Sequence, residues 1–246
     1  MKILVCISQV PDTTTKISFK DNDTAFNEDK VTYIVNPYDE WYALVRALEL
    51  KEAAGAGNVT IITVGTAAVE PIIRKALAIG ADDAVRINMD PKDAYSTAKV
   101  IADYAGGNGY DLIMCGKETI DYNGSEVGGM IAGLLDLPFV SHAISLQVSG
   151  GNAVMEIDIE NGTEEITAAM PVVLSAAKGM AEARIPNMRG IMAARTKPIQ
   201  VVEASETPIT AVKKFSLPPA KSAVKLIDTE NIDQLVELLH TEAKVI

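Results

Sequence analysis

The segment Gly116-Lys117-Glu118-Thr119-Ile120-Asp121-Tyr122-Asn123-Gly124-Ser125-Glu126-Val127-Gly128-Gly129 places small and polar residues directly ahead of an amphipathic run. A loop of that kind running into a helix leaves backbone N–H groups without intrahelical acceptors at the positive end of the helix dipole, which suits a phosphate. The segment is neither a Walker A sequence nor GxGxxG, and Glu126 carries a negative charge into the first helical turn. The same residues also have a purely structural reading, in which Ser125 caps the helix and Glu126 complements its dipole. Weaker candidates follow other apolar runs: residues 8–13, the pair Gly65-Thr66, and Asn36-Pro37, which reads equally well as a plain helix start. No SGGxDS loop follows the first apolar run, so an ATP-pyrophosphatase reading lacks its essential part.

Other chemistries have few residues to work with. Two histidines, His142 and His240, are too few for multi-histidine metal sites and leave little for a triad, so neither catalytic nor metal-binding residues are expected. Cys6 and Cys115 lie in apolar strand-like runs without CxxC spacing and read as buried, reduced thiols. A net charge of −11 argues against sequence-independent nucleic-acid binding, although Arg184, Arg189, Arg195 and Lys197 gather late in the chain. No window of 18 uncharged apolar residues exists, and residues 1–8 are too short for a signal peptide's apolar core. The expectation is a soluble, unexported, cytoplasmic protein without membrane insertion.

The elements that must position these residues follow from periodicity. Residues 3–8 form a continuous apolar run of strand length, closed by a polar turn at Pro11. Residues 16–19 and 30–34 alternate around Asp21-Asn22-Asp23 and predict a hairpin. Asn36 and Pro37 suit a helix start, and Trp41, Leu44, Val45 and Leu48 then share one helical face, ended by Gly55 and Gly57. Residues 59–64 read as a strand; Val69, Ile72, Ile73, Ala76 and Leu77 as a helical face ending at Gly80; residues 83–87 as a strand; residues 95–104 as a helix; and residues 111–115 as a strand. Val127, Met130, Ile131 and Leu134 mark a further amphipathic helix.

This alternation predicts an α/β fold, an open, mostly parallel sheet with helices on both faces. From Ile144 the rhythm changes to strands at residues 144–148, 154–159, 165–167 and 172–176, predicting an appended β meander. Beyond Gly179 five prolines break the chain, yet apolar residues persist, so an extended C-terminal arm is expected to lie against something. It ends in an amphipathic helix begun by Asp228-Thr229-Glu230 and carrying Ile232, Leu235, Val236 and Leu239. The expected division is an α/β domain with meander over residues 1–180, and a proline-broken loop and arm over residues 181–246.

Several ordered motifs together resemble the β subunit of electron transfer flavoproteins. They are Leu4-Val5-Cys6-Ile7-Ser8-Gln9-Val10-Pro11-Asp12-Thr13, Val35-Asn36-Pro37-Tyr38-Asp39-Glu40, Ala76-Leu77-Ala78-Ile79-Gly80-Ala81-Asp82, Gly116-Lys117-Glu118-Thr119-Ile120-Asp121, and Ala183-Arg184-Ile185-Pro186-Asn187-Met188-Arg189-Gly190-Ile191-Met192-Ala193-Ala194, with an exit through Lys197-Pro198-Ile199.

The resemblance implies an adenine-nucleotide α-hydrolase-like fold in a heterodimer whose α subunit holds the redox-active FAD, while this subunit holds AMP structurally. It also implies electron flow from flavin dehydrogenases such as acyl-CoA dehydrogenase to a quinone oxidoreductase. By motif position, Cys6, Asn36, Val64 and Gly65 would line the nucleotide pocket, with Asp121, Asn123, Gly124, Ser125, Glu126, Val127 and Gly128 around ribose and phosphate. Thr13 would approach the α subunit's flavin. Arg184, Ile185, Pro186, Met188, Ile191 and Met192 would form the loop that recognises dehydrogenases, with Met188 at its tip; the competing reading packs Met188 internally.

The chain departs from the AMP-type pattern Asn-Gln-Thr-Gly, reading Ser125-Glu126-Val127-Gly128. Electron-bifurcating members carry Asp-Gly-Asp-Thr-Ala-Gln-Val-Gly, which shares Val127-Gly128 here but not the second Asp or the Thr. Two alternatives therefore stay open: a bifurcating subunit with its own FAD, and a stand-alone nucleotide-sensing module.

Overall fold

A computed structural model describes residues 1–221 and 223–246, which fall into two compact units, residues 1–17 with 27–213 and residues 18–26 with 214–246. The first half of the chain forms β1 (Lys2–Cys6), β2 (Gln9–Pro11), β3 (Phe19–Lys20), β4 (Ala25–Phe26), β5 (Tyr33–Val35), α1 (Asp39–Ala54), β6 (Asn58–Val64), α2 (Glu70–Ile79), β7 (Asp83–Asn88), α3 (Ala94–Gly106) and β8 (Leu112–Gly116). The second half forms α4 (Val127–Leu135), β9 (Phe139–Ser149), β10 (Asn152–Ile159), β11 (Gly162–Ala169), β12 (Val172–Ala176), α5 (Met188–Ala194), β13 (Ile199–Glu203) and α6 (Ile232–Leu238).

The larger unit is built on a nine-stranded sheet ordered β11-β10-β9-β12-β8-β1-β6-β7-β13. From β9 to β13 every neighbouring pair is parallel, whereas β9, β10 and β11 pair antiparallel. Strand alternation sends successive side chains to opposite faces. Ile3 and Val5 of β1 join Leu44, Leu48, Ile73 and Leu77 of α1 and α2, while Leu4 and Cys6 join Ala98, Ile101, Ile131 and Ala132 of α3 and α4. Helices therefore cover both faces, as the alternation predicts. From β1 the chain builds outward through β6 to β7, then returns by α3 to β8 on the other side of β1. That reversal opens a crevice at the carboxyl ends of β1 and β8, where open α/β sheets place ligands.

Four local expectations are corrected. Residues 16–19 and 30–34 do not pair; β3 pairs with β4, and β5 pairs with β2, which runs through Pro11 in a small ribbon outside the main sheet. Residues 172–176 do not continue the meander. β12 is inserted parallel between β9 and β8, and all five of its residues are buried, as a strand covered on both faces requires. Residues past 179 are not wholly irregular, since α5 packs on α2 and β13 extends the sheet beside β7. The last helix starts one turn later than Asp228: Asn231 is its cap, its side chain accepting from the Gln234 N–H at 3.3 Å.

In the smaller unit, Asp21, Asn22 and Asp23 turn the β3–β4 hairpin with positive φ. The Asp23 carbonyl accepts the Phe215 N–H (2.7 Å), and the Phe19 and Phe215 rings stack 4.9 Å apart. Helix α6 keeps Ile232, Leu235 and Val236 exposed.

Candidate functional site

Cys6 ends β1, Val64 ends β6 with Gly65 just beyond, and Gly116 ends β8, so the predicted pocket residues gather along the carboxyl edge. Asn36 reaches the same edge by another route. It does not cap α1: its backbone N–H donates to the Ser8 carbonyl, and its fully buried side chain donates to the Glu118 carbonyl (2.9 Å) and accepts from the Ile120 N–H (3.0 Å). A buried amide satisfied in this way fastens the chain before α1 to the loop after β8. Tyr38 takes the cap position with φ 66° and ψ −97° and no side-chain cap bond, leaving the helix to begin at Asp39.

The loop from β8 to α4 carries Asp121, Asn123, Gly124, Ser125, Glu126, Val127 and Gly128. Asn123 (φ 50°) and Ser125 (φ 53°) adopt left-handed backbone on either side of Gly124, which curls successive amides into a concave run. Ser125 does not cap α4; Glu126 occupies that position without a side-chain cap bond. No acceptor among the described residues takes the N–H of Gly124, Ser125, Glu126, Val127 or Gly128. Five free amides at the head of a nine-residue helix form a donor set that fits a phosphate monoester. The Glu126 side chain folds back beside Gly124, its Cδ 3.9 Å from where a Cβ there would stand.

Beneath this loop lies a residue that the sequence reading quoted in a motif but gave no role. Glu40 is 4% exposed, and its Oε2 accepts the Ser8 N–H at 2.6 Å. Gly116 packs flush on it: a Cβ at Gly116 would stand 2.7 Å from Glu40 Cγ and 2.9 Å from its backbone nitrogen. Burial pushes the Glu40 carboxyl up to about 8, against the pull of its bonds with Ser8 and with added repulsion from Asp121 and Asp39. Cys6 and Cys115 are free, buried thiols on the neighbouring strands β1 and β8. Contact with Cys115 and then burial raise the Cys6 thiol well above its usual range, so neither contact nor burial favours a thiolate there.

Thr13 stands apart from this edge. Ser8 and Asn36 begin the β2–β5 ribbon, Pro11 pairs with Tyr33, Asp12 N–H donates to the Thr32 carbonyl, and Thr13 lies beyond. The ribbon end holds a depression of about 370 Å³ lined by Asp12, Thr14, Thr15, Lys16, Asp29 and Lys30, among others.

Arg184, Ile185, Pro186, Met188, Ile191 and Met192 form a second region. Arg184 grips Glu52 with both guanidinium arms (2.7 and 2.9 Å), and its carbonyl accepts Trp41 Nε1–H (3.1 Å). Asn187 caps α5 through the Gly190 N–H (2.8 Å). Gly190 lies flush on α2, where a Cβ would stand 2.3 Å from the Ala78 carbonyl oxygen. Between these anchors Ile185 is 91% exposed and Met188 73% exposed, so Met188 does not pack internally.

Sequence reasoning also passed over Arg86, although a charge inside the apolar run Ala84-Val85-Arg86-Ile87 was the available signal. Its side chain is buried behind Gly65. Among the described residues no group of three or more metal-ligating side chains occurs, and no helix is long and apolar enough to cross a membrane.

Comparison with known proteins adds an independent line. The family model described as "Electron transfer flavoprotein domain" matches residues 23–207. The chain is 36% identical over 262 aligned residues to "Electron transfer flavoprotein subunit beta" of Bacillus subtilis, with 100% of both chains covered. It is 31% identical to the protein of the same description in Megasphaera elsdenii, covering 97% of this chain and 98% of that one. To the human protein so described it is 30% identical, covering 94% and 95%.

Proposed function

The chain belongs to the electron transfer flavoprotein family, among its β subunits, and from that premise we propose that it is the AMP-holding half of a heterodimeric electron carrier with no catalytic residues of its own. The observation that carries the AMP assignment is the set of five free amides over residues 124–128, at the carboxyl edge beside the reversal of strand order. In this reading residues 124–128 hold the phosphate, Asp121 and Asn123 stand by the ribose, and Cys6, Asn36, Val64 and Gly65 shape the remaining pocket. AMP there is structural: it fills the crevice and ties the β8–α4 loop to the ends of β1 and β6. The α subunit's FAD supplies the redox chemistry, and Thr13 at the end of the β2–β5 ribbon faces it.

Residues 181–246 serve the partners, whereas residues 1–180 form the nucleotide domain. The exposed tip at Met188, with Ile185, Pro186, Ile191 and Met192, anchors flavin dehydrogenases such as acyl-CoA dehydrogenase, and a quinone oxidoreductase takes the electrons onward. A flexible, polarizable methionine suits several partners. The setting is the cytoplasm.

The test is to co-express the chain with its α subunit, purify the complex and quantify its bound nucleotides. One FAD and one AMP per heterodimer is the expected result. Two FAD would replace the plain carrier by a bifurcating subunit, and FAD with no AMP would mean that Glu126 and Val127 have closed the second site.

A further inference from the structure

Arg86 is 6% exposed and sits on β7 beside the end of β6. Its Nη1 donates to the Gly65 carbonyl (3.1 Å) and to Asn88 Oδ1 (2.7 Å), while Nε faces Glu70 Oε1 at 3.2 Å without the alignment of a hydrogen bond. Asn88 in turn donates through Nδ2 to both carboxylate oxygens of Glu203, at 3.1 and 2.8 Å. Glu203 is the last residue of β13, the sheet's outer strand and the final strand before the C-terminal arm. A continuous chain of charge-assisted contacts thus runs from the β13 edge through Asn88 and Arg86 to the turn after β6, and Glu70 at the head of α2 closes the other side of that turn.

The turn has little freedom to adjust by itself. A Cβ at Gly65 would stand 2.5 Å from Val69 Cγ1, so the backbone is pressed against the start of α2, and the Gly65 N–H is already given to the Ile87 carbonyl. With its amide taken and its side-chain space filled, the orientation of the Gly65 peptide depends on what its carbonyl accepts. That acceptor contact is Arg86. A lysine could carry the charge, but its flexible stem and round ammonium lack the rigid planar guanidinium that aims Nη1 at Gly65 and Asn88 while Nε stands toward Glu70.

We propose that Arg86 is the positioning residue of the Gly65 turn, and that through Asn88 and Glu203 it makes nucleotide affinity at the carboxyl edge depend on the docking of β13. Arg86 does not touch the nucleotide. It holds the backbone that the nucleotide meets, and Glu203 holds Arg86's partner Asn88. The inference rests on the reading of the carboxyl edge as an AMP site.

The experiment uses the full chain in complex with its α subunit and measures AMP affinity by equilibrium dialysis, alongside the melting temperature and peptide-resolved hydrogen exchange. Arg86→Lys is expected to weaken AMP binding about tenfold, the scale of one lost hydrogen bond to a charged group. Glu203→Gln, which keeps one acceptor for Asn88, is expected to weaken it about threefold by the same reasoning. In both variants, measured on the AMP-free complex, exchange should quicken in the peptide spanning residues 64–69 and stay unchanged over residues 121–128. A wild-type complex that takes up no AMP overturns the reading of the site itself. A wild type that binds AMP, with Arg86→Lys binding it equally or losing only melting temperature, overturns the positioning role. Loss in Arg86→Lys with no change in Glu203→Gln overturns the link to β13. Should Arg86→Lys not assemble, Glu203→Gln and Asn88→Asp decide the matter by the same readouts.

Discussion

The carboxyl edge and the 184–192 loop solve opposite problems with similar means. At the edge, polar groups are buried and satisfied: Asn36 bridges two loops and Glu40 takes the Ser8 amide, while the amides of residues 124–128 are left without an acceptor among the described residues. At the loop, polar groups anchor the ends, through Arg184 to Glu52 and Asn187 to Gly190, and apolar side chains are left open. What each region leaves unsatisfied indicates what it is built to meet. Free amides call for an anion, and apolar tips held on a fixed base call for an apolar partner surface.

The comparison can be broken most forcefully at Glu40. Its folded carboxyl titrates near 8 against 4.5 in an unfolded chain, so the folded state holds the extra proton between those values. Stability conferred by the protonated form is present below about 4.5, declines as pH rises toward 8 and levels off above. The full span is roughly 5 kcal/mol by linkage. Glu40→Gln keeps an acceptor for Ser8 and should flatten that slope in denaturant titrations across pH 5 to about 9, with higher stability at the alkaline end. An unchanged slope would mean that the edge does not hold a costly buried acid.

At the loop, Gly190→Ala drives a methyl into the Ala78 carbonyl and should lower stability by about 2 kcal/mol, the usual cost of overpacking, while AMP content stays at the wild-type level. Loss of AMP in that variant would show that the two regions are not independent. Met188→Ala should leave the melting temperature within the scatter of a surface change, yet weaken dehydrogenase docking by about 1–2 kcal/mol, seen as a raised KM with kcat preserved. The smallest effect is expected from Arg184→Ala. Its partly exposed pair with Glu52 is worth less than about 1 kcal/mol, and the change should show mainly as faster proteolysis within residues 184–192.

Much of the fold could be read from local pattern. The faces of α1 and α2 follow from Leu44, Val45 and Leu48 and from Ile72, Ile73, Ala76 and Leu77, because a 3.6-residue period needs only the chain itself to be seen. The β8–α4 loop was legible for the same reason, since glycines and short polar residues ahead of an amphipathic run are local chemistry. Pairing was not. Residues 30–34 alternate as a strand in either partnership, and choosing β2 over the hairpin depends on where Ser8 and Asn36 lie in space.

The sequence by itself therefore determined the class of fold, the helical faces, the small-residue loop ahead of α4 and the motifs that resemble the family. Only the tertiary structure decided that β12 enters between β9 and β8, that Asn36 staples loops instead of capping a helix, and that Glu40 and Arg86 are buried. The physical reason is range. Periodicity and capping act within a turn or two of chain, whereas strand insertion and burial of a charge depend on neighbours tens of residues away, which exist only once the sheet has closed around them.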